Sequence, residues 1–292
     1  MSNLALIIEE RAAAIGNFLV GRLLPFRQKR AVGPFVFIDH MGPAALKDHQ
    51  YLDVPPHPHI GLSTLTYLFE GAMMHRDSTG AVEEIKPGAV NWMTAGKGVV
   101  HSERTPEYLK NSGEYLHGLQ IWVALPADKE EMEPSFTHIP VENIPAWEQS
   151  GATFKLIAGE AFGKQSQVPV FSPLYLLEIK NTQPVALNIG HELFGESALY
   201  ILEGSVKNDG HSYGPRQILV AKDSKLCAFE MTANSTIYIF CGEPFPEERF
   251  IYWNFVSSDK ARIEKAKQDW LEQVFPQVPG ETGFVPLPSS RS

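Results

Sequence analysis

Short apolar runs, closed by glycine, proline, asparagine or aspartate, recur along the whole chain. Most are four to eight residues long and rich in Val, Ile, Leu, Tyr and Phe. Such runs are typical of strands in a sandwich or barrel. The 23 glycines and 22 prolines are spread through the chain, so the fold class is predicted to be all-β throughout. The clearest runs are 35–38, 62–69, 116–123, 175–179, 199–202, 218–220 and 236–240.

One stretch near the end of the sequence has helical periodicity instead. The candidate N-cap is Ser257 or Ser258, with Asp259 in the first turn. Pro276 cannot continue a helix, so we predict a helix over residues 258–275 that packs on the β-structure. An amphipathic helix for a membrane or a partner is the less favoured interpretation. The apolar residues at helical spacing are Ile263, Ala266, Trp270 and Val274.

A five-residue segment occurs in two similar copies, one in each half of the chain. YLFEG at 67–71 resembles YILEG at 200–204, and each runs into a turn whose glycine can adopt positive φ. This placement predicts two β-domains of one kind. Since 135–150 has few strand signals, we predict domains at 1–140 and 141–292. The second would include the helix and an extended tail, 276–292, lying on the surface or disordered.

Charge and composition exclude several classes of protein. The net charge is −9, with 25 Lys and Arg against 34 Asp and Glu, so direct nucleic-acid binding is not expected. The hydrophobic fraction of 43% excludes a disordered chain. No apolar run is long enough for a membrane span or a secretory signal. The two cysteines form neither a disulfide framework nor a CxxC metal motif, so a cytoplasmic location is expected.

Histidines are concentrated in the first 120 residues, where seven of the ten lie. Two HxH-type patterns stand out, His57 with His59 and His101 with Glu103. On a strand, residues i and i+2 point to the same face, so each pair can offer two ligands to one ion. A lone HxH pair is more often surface or hydrogen-bonded core histidine, but two pairs joined by strands and glycine turns favour a metal site. Three His and one Glu suit Fe(II), and less uniquely Mn, Ni, Cu or Zn.

Longer motifs resemble the pirin family of bicupins. The resemblance is dense over about 30–126 and looser elsewhere. The matching segments are GPF (33–35), DHMGP (39–43), PHPHIG (56–61), TYLFEG (66–71), HRDS (75–78), NWMTAGKGVVHSE (91–103) and LHGLQIW (116–122).

The resemblance implies two cupin-type β-barrels, with one mononuclear metal, usually iron, in the N-terminal barrel. The matching ligand positions are His57, His59, His101 and Glu103, the set that strand geometry also proposes. Some pirins are described as quercetin 2,3-dioxygenases, and others, in animals, as iron-dependent transcriptional co-regulators. The fold alone therefore does not decide the function.

Two functional hypotheses follow, with a third held in reserve. The first is a non-haem metal dioxygenase that takes a small, flavonol-like aromatic substrate and dioxygen. The second is a non-enzymatic iron-dependent redox sensor or regulator that binds a protein partner. The third is a metal-free structural bicupin. No catalytic residue beyond the metal ligands, and no cofactor other than the metal, is assigned.

Departures from the family pattern affect both halves. Many cupins carry a glutamate four residues after the second histidine of HxH, where this chain has Ser63, so a proton-accepting carboxylate near the metal is expected to be missing. In the second half, Gly190 and Glu192 align with the HxH pair, and Cys227 and Phe229 with the HxE pair. The second barrel is therefore expected to hold no metal.

Several other residues have two interpretations. His75 and Asp77 share a strand face, and either orient a ligand imidazole or lie on an exposed hairpin. His40 and His117 are expected to be structural. Of Trp92 and Met93, only one should face the metal pocket. Core packing is the expectation for Cys227, Cys241, Trp122, Trp147, Trp253 and Trp270.

Overall fold

Strands dominate the computed structural model, which describes residues 4–15, 18–47, 51–222 and 228–288. The all-β prediction is confirmed. In the first half the strands are β1 (Leu4–Glu9), β2 (Arg11–Ile15), β3 (Phe18–Leu24), β4 (Phe35–Ala45), β5 (Asp53–His59), β6 (Leu62–Glu70), β7 (Met73–Asp77), β8 (Val82–Ile85), β9 (Val90–Thr94), β10 (Val99–Arg104), β11 (Tyr115–Ala124) and β12 (Ser135–Ile139).

The second half continues with strands and one α-helix. The strands are β13 (Ala146–Gln149), β14 (Ala152–Ala161), β15 (Lys164–Gln165), β16 (Leu174–Asn181), β17 (Val185–Asn188), β18 (Glu196–Glu203), β19 (Val206–Asn208), β20 (His211–Tyr213), β21 (Gln217–Ala221), β22 (Ala228–Met231), β23 (Ser235–Gly242), β24 (Phe250–Tyr252) and β25 (Phe255–Ser257). The helix α1 is Lys260–Leu271, and single 3-10 turns occupy Glu107–Leu109, Ala127–Lys129, Val141–Asn143 and Gly190–Glu192.

Two compact units make up the described chain, and neither is continuous in sequence. The first-barrel unit consists of residues 13–20, 40–138 and 246–292. The second-barrel unit consists of residues 1–12, 21–39 and 139–245. The expected division, 1–140 and 141–292, stays a prediction, because it has two continuous domains whereas the two compact units interleave along the chain. It differs in that 246–292, with α1, groups with the first barrel, because Val256 hydrogen-bonds to Ile60 and α1 packs beside it.

The first-barrel unit is built from two antiparallel sheets with a shared core. A long sheet has the order β12-β9-β6-β11-β4-β3-β2, and a four-stranded sheet has the order β5-β10-β7-β8. Their apolar side chains meet in one cluster, in which Leu68 and Leu116 of the long sheet pack with Val54, Met73 and Ile85 of the short one.

The second-barrel unit repeats this strand order. Its long sheet is β1-β21-β18-β23-β16-β14-β13, and its short sheet is β17-β22-β19-β20. The two copies of the repeated pentapeptide end β6 and β18, and their glycines, Gly71 and Gly204, have φ of 80° and 73°. The prediction of two similar β-domains, derived from that repeat, is confirmed. In this unit the sequence-distant β1 pairs with β21, with Ile7 opposite Leu219.

Helix α1 has the buried face that the periodicity predicts but is shorter than 258–275. Ile263, Ala266 and Trp270 are buried. Asp259, rather than Ser257 or Ser258, is the N-cap, because its carboxylate accepts a hydrogen bond from the Ala261 amide at 2.8 Å. The helix ends at Leu271, before Gln273 adopts a φ of +55°, which leaves Val274 outside the helix and exposed. No helix among the described residues is long and apolar enough to cross a membrane.

Beyond α1, the described residues up to 288 form no strand or further helix, and they contact strands β5 and β10 of the first-barrel unit. Val285 donates its amide to the Pro56 carbonyl at 2.8 Å. Glu281 accepts hydrogen bonds from Ser102 and from the Arg104 guanidinium. Val278 is buried. The tail therefore lies on the surface and is hydrogen-bonded to β5 and β10. The end of the predicted tail, 289–292, lies outside the described residues.

Candidate metal centre

Two neighbouring strands bring the predicted histidines together. In the register of β5 and β10, His101 lies directly opposite His57, and Val99 opposite His59. The alternation of side chains on each strand places all three imidazoles on one face. One nitrogen of each ring lies within 4.8 Å of the others. Ring centroids are 4.3 Å apart for His57 and His101, and 5.0 Å for His59 and His101.

Burial keeps these three imidazoles neutral. It lowers the pKa of His57 to about 4, with the hydrogen bond to the Pro55 carbonyl opposing the shift. For His59 and His101, burial and the neighbouring imidazoles together hold the pKa well below the ordinary value of 6.5. A neutral imidazole carries a lone pair on one nitrogen, which is the form that binds metals.

Hydrogen bonds orient the rings. Nδ1 of His57 donates to the Pro55 carbonyl at 2.9 Å, and Nδ1 of His59 donates to the Asn254 carbonyl at 3.2 Å, since a carbonyl can only accept. The lone pair of each neutral ring is therefore on Nε2. In His101, Nε2 is buried and has no hydrogen-bond partner in the described structure.

This donor set fits a divalent metal ion. An unpartnered nitrogen in a dry site costs free energy unless a ligand satisfies it. Three neutral imidazoles, each with a nitrogen within 4.8 Å of the others, form a set of ligands that a divalent metal ion accepts. Other groups of three or more His, Cys, Asp or Glu with this geometry were not found among the described residues. The structure thus brings together three of the four predicted ligands.

Glu103, the fourth predicted ligand, stands beside this group rather than in it. It shares a face of β10 with His101 and is opposite His75 in the register with β7. Its side chain is buried, and burial raises its pKa to about 7. A divalent cation nearby would favour the ionised carboxylate and oppose that shift. The assignment of Glu103 as a ligand stays a prediction.

His75 and Asp77 are buried and lie next to the three histidines, which rules out the exposed-hairpin interpretation. Nδ1 of His75 is 3.4 Å from Nδ1 of His101, and Nε2 of His75 is 3.0 Å from Oδ2 of Asp77. Burial raises the pKa of Asp77, but hydrogen bonds from His75 and Thr79 outweigh it and hold that pKa below the ordinary value. Phe136 of β12 stacks on the His75 ring at 4.4 Å.

The long sheet supplies the opposite wall of the site. Trp122 packs edge-on against His59, with ring centroids 5.1 Å apart. Thr64 is opposite both Trp122 and Met93, so these three side chains share the face toward the metal site. Met93 is therefore the one of the Trp92–Met93 pair that faces inward. Trp122, for which core packing is the expectation, is buried as expected, but it also contacts the histidine group.

Ser63 faces away from this site. It is opposite Val123, one residue out of phase with Trp122, and its hydroxyl donates to Thr94 at 3.1 Å. Trp92 donates its indole N–H to the same Thr94 oxygen at 2.9 Å. We expected that a glutamate in place of Ser63 would lie near the metal. That expectation is wrong, because a side chain at this position points to the face of the long sheet that is turned away from the histidines.

The remaining predicted residues lie elsewhere. His40 and His117 are buried and hydrogen-bonded to each other through their Nε2 atoms at 2.8 Å, which agrees with a structural role. Cys241 and Phe229 belong to the apolar core of the second-barrel unit, as expected for Cys241. Cys227 lies outside the described residues.

Comparisons with known proteins agree with this architecture. The family model described as Pirin matches residues 17–123, and the Pirin C-terminal cupin domain matches residues 177–276. A pirin-like protein from Caulobacter vibrioides is 49% identical over 290 residues, which cover 97% of this chain and 99% of the relative.

Solved structures show the same fold. The crystal structure of a quercetin 2,3-dioxygenase from Acinetobacter baumannii aligns with a TM-score of 0.87 at 32% identity, covering 98% of this chain and 96% of that one. The bacterial pirin YhhW from Escherichia coli, solved in complex with nickel(II), aligns with a TM-score of 0.63 at 18% identity, covering 82% and 99% of the two chains, and shows the fold alone. With both halves matched by its models and a close relative matched end to end, the chain belongs to the pirin family.

Proposed function

We propose that the chain is a mononuclear metal dioxygenase of the quercetin 2,3-dioxygenase type. Fe(II) would be held by His57, His59 and His101, with Glu103 as the fourth ligand. The observation that carries the proposal is the convergence of three buried, neutral imidazoles, one with an unpartnered Nε2. The likeness to the quercetin 2,3-dioxygenase from Acinetobacter baumannii supports the choice of reaction.

The metal would supply a Lewis acid that lowers the pKa of a substrate hydroxyl, and a place for dioxygen. The residues of the chain would bind and orient an aromatic substrate. Trp122 and Met93 offer apolar surface on the wall facing the histidines. Polar groups lie farther along the same face, where Thr66 donates to Gln120 at 2.8 Å. This combination of apolar surface and a few polar groups suits a small polyhydroxylated aromatic molecule.

The test is oxygen uptake and quercetin consumption by protein loaded anaerobically with Fe(II). We expect turnover in the wild type and background rates in His101→Ala, which removes one imidazole from the ligand set. His211→Ala is the matched control, because His211 is an exposed histidine of the second-barrel unit. Turnover that persists in His101→Ala contradicts the proposal.

The regulator hypothesis gives a different result in the same experiment. A sensor would retain metal without consuming quercetin or oxygen, and its affinity for a protein partner would change with the redox state of the metal. Absence of turnover in a metal-loaded wild type would therefore exclude quercetin as a substrate and favour the second hypothesis.

A further inference from the structure

A chain of hydrogen bonds starts at the turn after β7 and ends at a metal ligand. Oδ1 of Asp77 accepts hydrogen bonds from the Thr79 amide at 2.8 Å, the Thr79 hydroxyl at 2.6 Å and the Ala81 amide at 3.2 Å. Three donors therefore define the position of this oxygen. The other oxygen, Oδ2, is left to accept from Nε2 of His75 at 3.0 Å.

The ionised carboxylate dictates where the protons of the two histidines lie. Because Oδ2 of Asp77 can only accept, Nε2 of His75 carries a proton. In the tautomer of His75 that carries its one proton on Nε2, the lone pair is on Nδ1, which faces Nδ1 of His101 at 3.4 Å. His101 must point a proton at that lone pair, since two facing lone pairs would repel. A proton on Nδ1 of His101 leaves the lone pair on its unpartnered Nε2.

The three histidines differ in what determines their tautomers. His57 and His59 donate to main-chain carbonyls, Pro55 and Asn254, and no side-chain substitution removes a carbonyl. The tautomer of His101 depends instead on two side chains. A histidine that binds metal through one nitrogen commonly donates its other N–H to an acceptor that holds the ring, and such acceptors affect metal affinity.

We propose that His75 and Asp77 are positioning residues that set the tautomer of His101 and thereby determine how firmly the metal is held. The inference rests on the metal site of the proposed function but not on its reaction. His75 acts through His101 and does not itself bind the metal. Stacking of Phe136 on its ring and burial of both side chains keep the pair in place.

Asp77→Asn is the decisive substitution because it preserves size and reverses the proton order. The two backbone amides at Oδ1 need an acceptor, so the Asn amide oxygen takes that position and its NH₂ group faces His75. His75 then accepts at Nε2 and carries its proton on Nδ1, His101 accepts at Nδ1, and Nε2 of His101 becomes protonated. The atom that should bind metal is blocked.

Two measurements report on this order. In metal-free protein, ¹⁵N NMR of the imidazoles should place the His101 proton on Nδ1 in the wild type and on Nε2 in Asp77→Asn. In protein loaded anaerobically with Fe(II), transfer of the metal to excess chelator should be about 10–100-fold faster in Asp77→Asn. A purely structural role for Asp77 would leave the tautomer of His101 unchanged.

A double variant separates proton order from loss of packing. His75→Phe keeps an aromatic ring on Phe136 but removes the acceptor for His101, so it should release metal faster than the wild type. In His75→Phe no hydrogen bond connects residue 77 to His101, so adding Asp77→Asn should not change the rate of metal release any further. His117→Phe is the matched control, because it breaks the other buried histidine pair, with His40, outside the metal group.

The outcomes distinguish this inference from the proposed function. Retention of Fe(II) by the wild type with unchanged release from Asp77→Asn overturns the positioning role alone. Additive effects of the two substitutions also overturn it, since they indicate independent structural damage. If the wild type retains no Fe(II), the positioning role and the proposed dioxygenase both fail.

Discussion

Burial and local hydrogen bonding act on each ligand residue separately. The three histidines lose solvent, and Nδ1 of His57 and of His59 donates to a main-chain carbonyl, so the Nε2 lone pairs of these two rings remain for a metal. Glu103 is buried as well, and burial raises the pKa of its carboxyl group, which favours the protonated form in the absence of a nearby cation. Burial thus lowers the pKa of the histidines and raises the pKa of Glu103.

This difference gives a prediction for the metal content of single variants. Wild-type protein purified without a tag or chelator should hold about one metal ion per chain. His101→Ala should hold none, because only two imidazoles remain. Glu103→Ala should retain the metal more weakly, because the group of three imidazoles is intact. Elemental mass spectrometry before and after dialysis against a chelator measures the metal content of both variants. Equal loss of metal from the two variants would show that Glu103 contributes as much to metal binding as His101.

The sequence predicts well which side chains share a strand face, and predicts poorly the contacts that orient them. His57 with His59, and His101 with Glu103, follow from the two-residue period of a strand, which is a local property. The Asn254 carbonyl that orients His59 is 195 residues away, and no local pattern encodes that contact. The outward direction of Ser63 likewise depends on the register of β6 with β11, which only the folded sheet defines.

At the scale of elements, β10 presents two functional faces. His101 and Glu103 point inward, while Ser102 and Arg104 point outward to Glu281 of the tail. Arg104 also pairs with Asp53 of β5. The strand that carries His101 and Glu103 on one side is therefore held by an ion-pair network on the other.

The tail contact should depend on pH. Hydrogen bonds from Arg104, and then from Ser102, hold the pKa of Glu281 below its ordinary value of 4.5, with burial opposing them. Because the folded-state pKa is lowered, the stabilisation is present above pH 4.5 and is lost as the pH falls through the folded-state value. The wild type should exceed Glu281→Gln in free energy of unfolding near neutral pH, and the two should converge on acidification.

Urea unfolding of both proteins from about pH 6 to about pH 3 measures this difference. Hydrogen exchange of residues 99–104 should also be faster in Glu281→Gln. Glu272→Gln serves as the control, because it makes the same chemical change at an exposed glutamate just after α1. A difference between wild type and Glu281→Gln that is constant across the pH range would refute the role of the carboxylate.

Within the first-barrel unit, a buried glutamate connects the segment of α1 and β25 to residues 40–138. Glu130 accepts from the Ser257 hydroxyl at 2.6 Å and the Ser258 amide at 2.8 Å. It also pairs with Arg249 and Arg262, at 3.3 and 3.0 Å. Because its removal leaves buried donors without this acceptor, Glu130→Ala should lower the free energy of unfolding by about 3–5 kcal/mol.

The neighbouring residue provides the control for that prediction. Glu131 is 78% exposed and pairs with Arg262 at 3.6 Å, so Glu131→Ala should change the free energy of unfolding by less than about 1 kcal/mol. Chemical denaturation monitored by tryptophan fluorescence measures both variants. If Glu130→Ala lowers the free energy of unfolding by no more than Glu131→Ala, that is by less than about 1 kcal/mol, the buried network adds little to stability.

The helix illustrates how far periodicity reaches. Its buried face was predictable, because Ile263, Ala266 and Trp270 repeat at helical spacing. Its end was not, because the chain turns at Gln273 before the spacing reaches Val274. Its docking partner was not predictable either, since nothing in a helical pattern says which of two similar β-units it will cover.

For the molecule as a whole, sequence order and spatial order disagree. Each unit combines three separate segments of the chain, so a cut at residue 140 releases neither unit intact. The repeat near 67–71 and 200–204 revealed two similar units, but not that 246–292 completes the first. Apolar residues of the first unit, Ile60 and Val100, depend on that segment for burial.

Truncation should therefore be severe. A chain ending at residue 245 lacks the Asn254 carbonyl and the helix, and it exposes the apolar surface around Ile60. We expect it to aggregate or to retain no metal, as judged by size-exclusion chromatography and elemental analysis. A chain ending at residue 288 should behave as the wild type, because it keeps every described residue. Full metal retention by the shorter chain would contradict this account.

Because the first-barrel unit consists of separate segments of the chain, its parts are synthesised at different times. The strands that carry the histidines leave the ribosome before residues 139–245, which belong to the other unit, and only then does 246–292 follow. At typical elongation rates this delay is about 5–20 seconds. During it, His59 lacks the carbonyl that orients its ring, and Ile60 and Val100 lack their cover. The three-histidine group therefore reaches its final geometry late, only after the last segment of the chain has been synthesised.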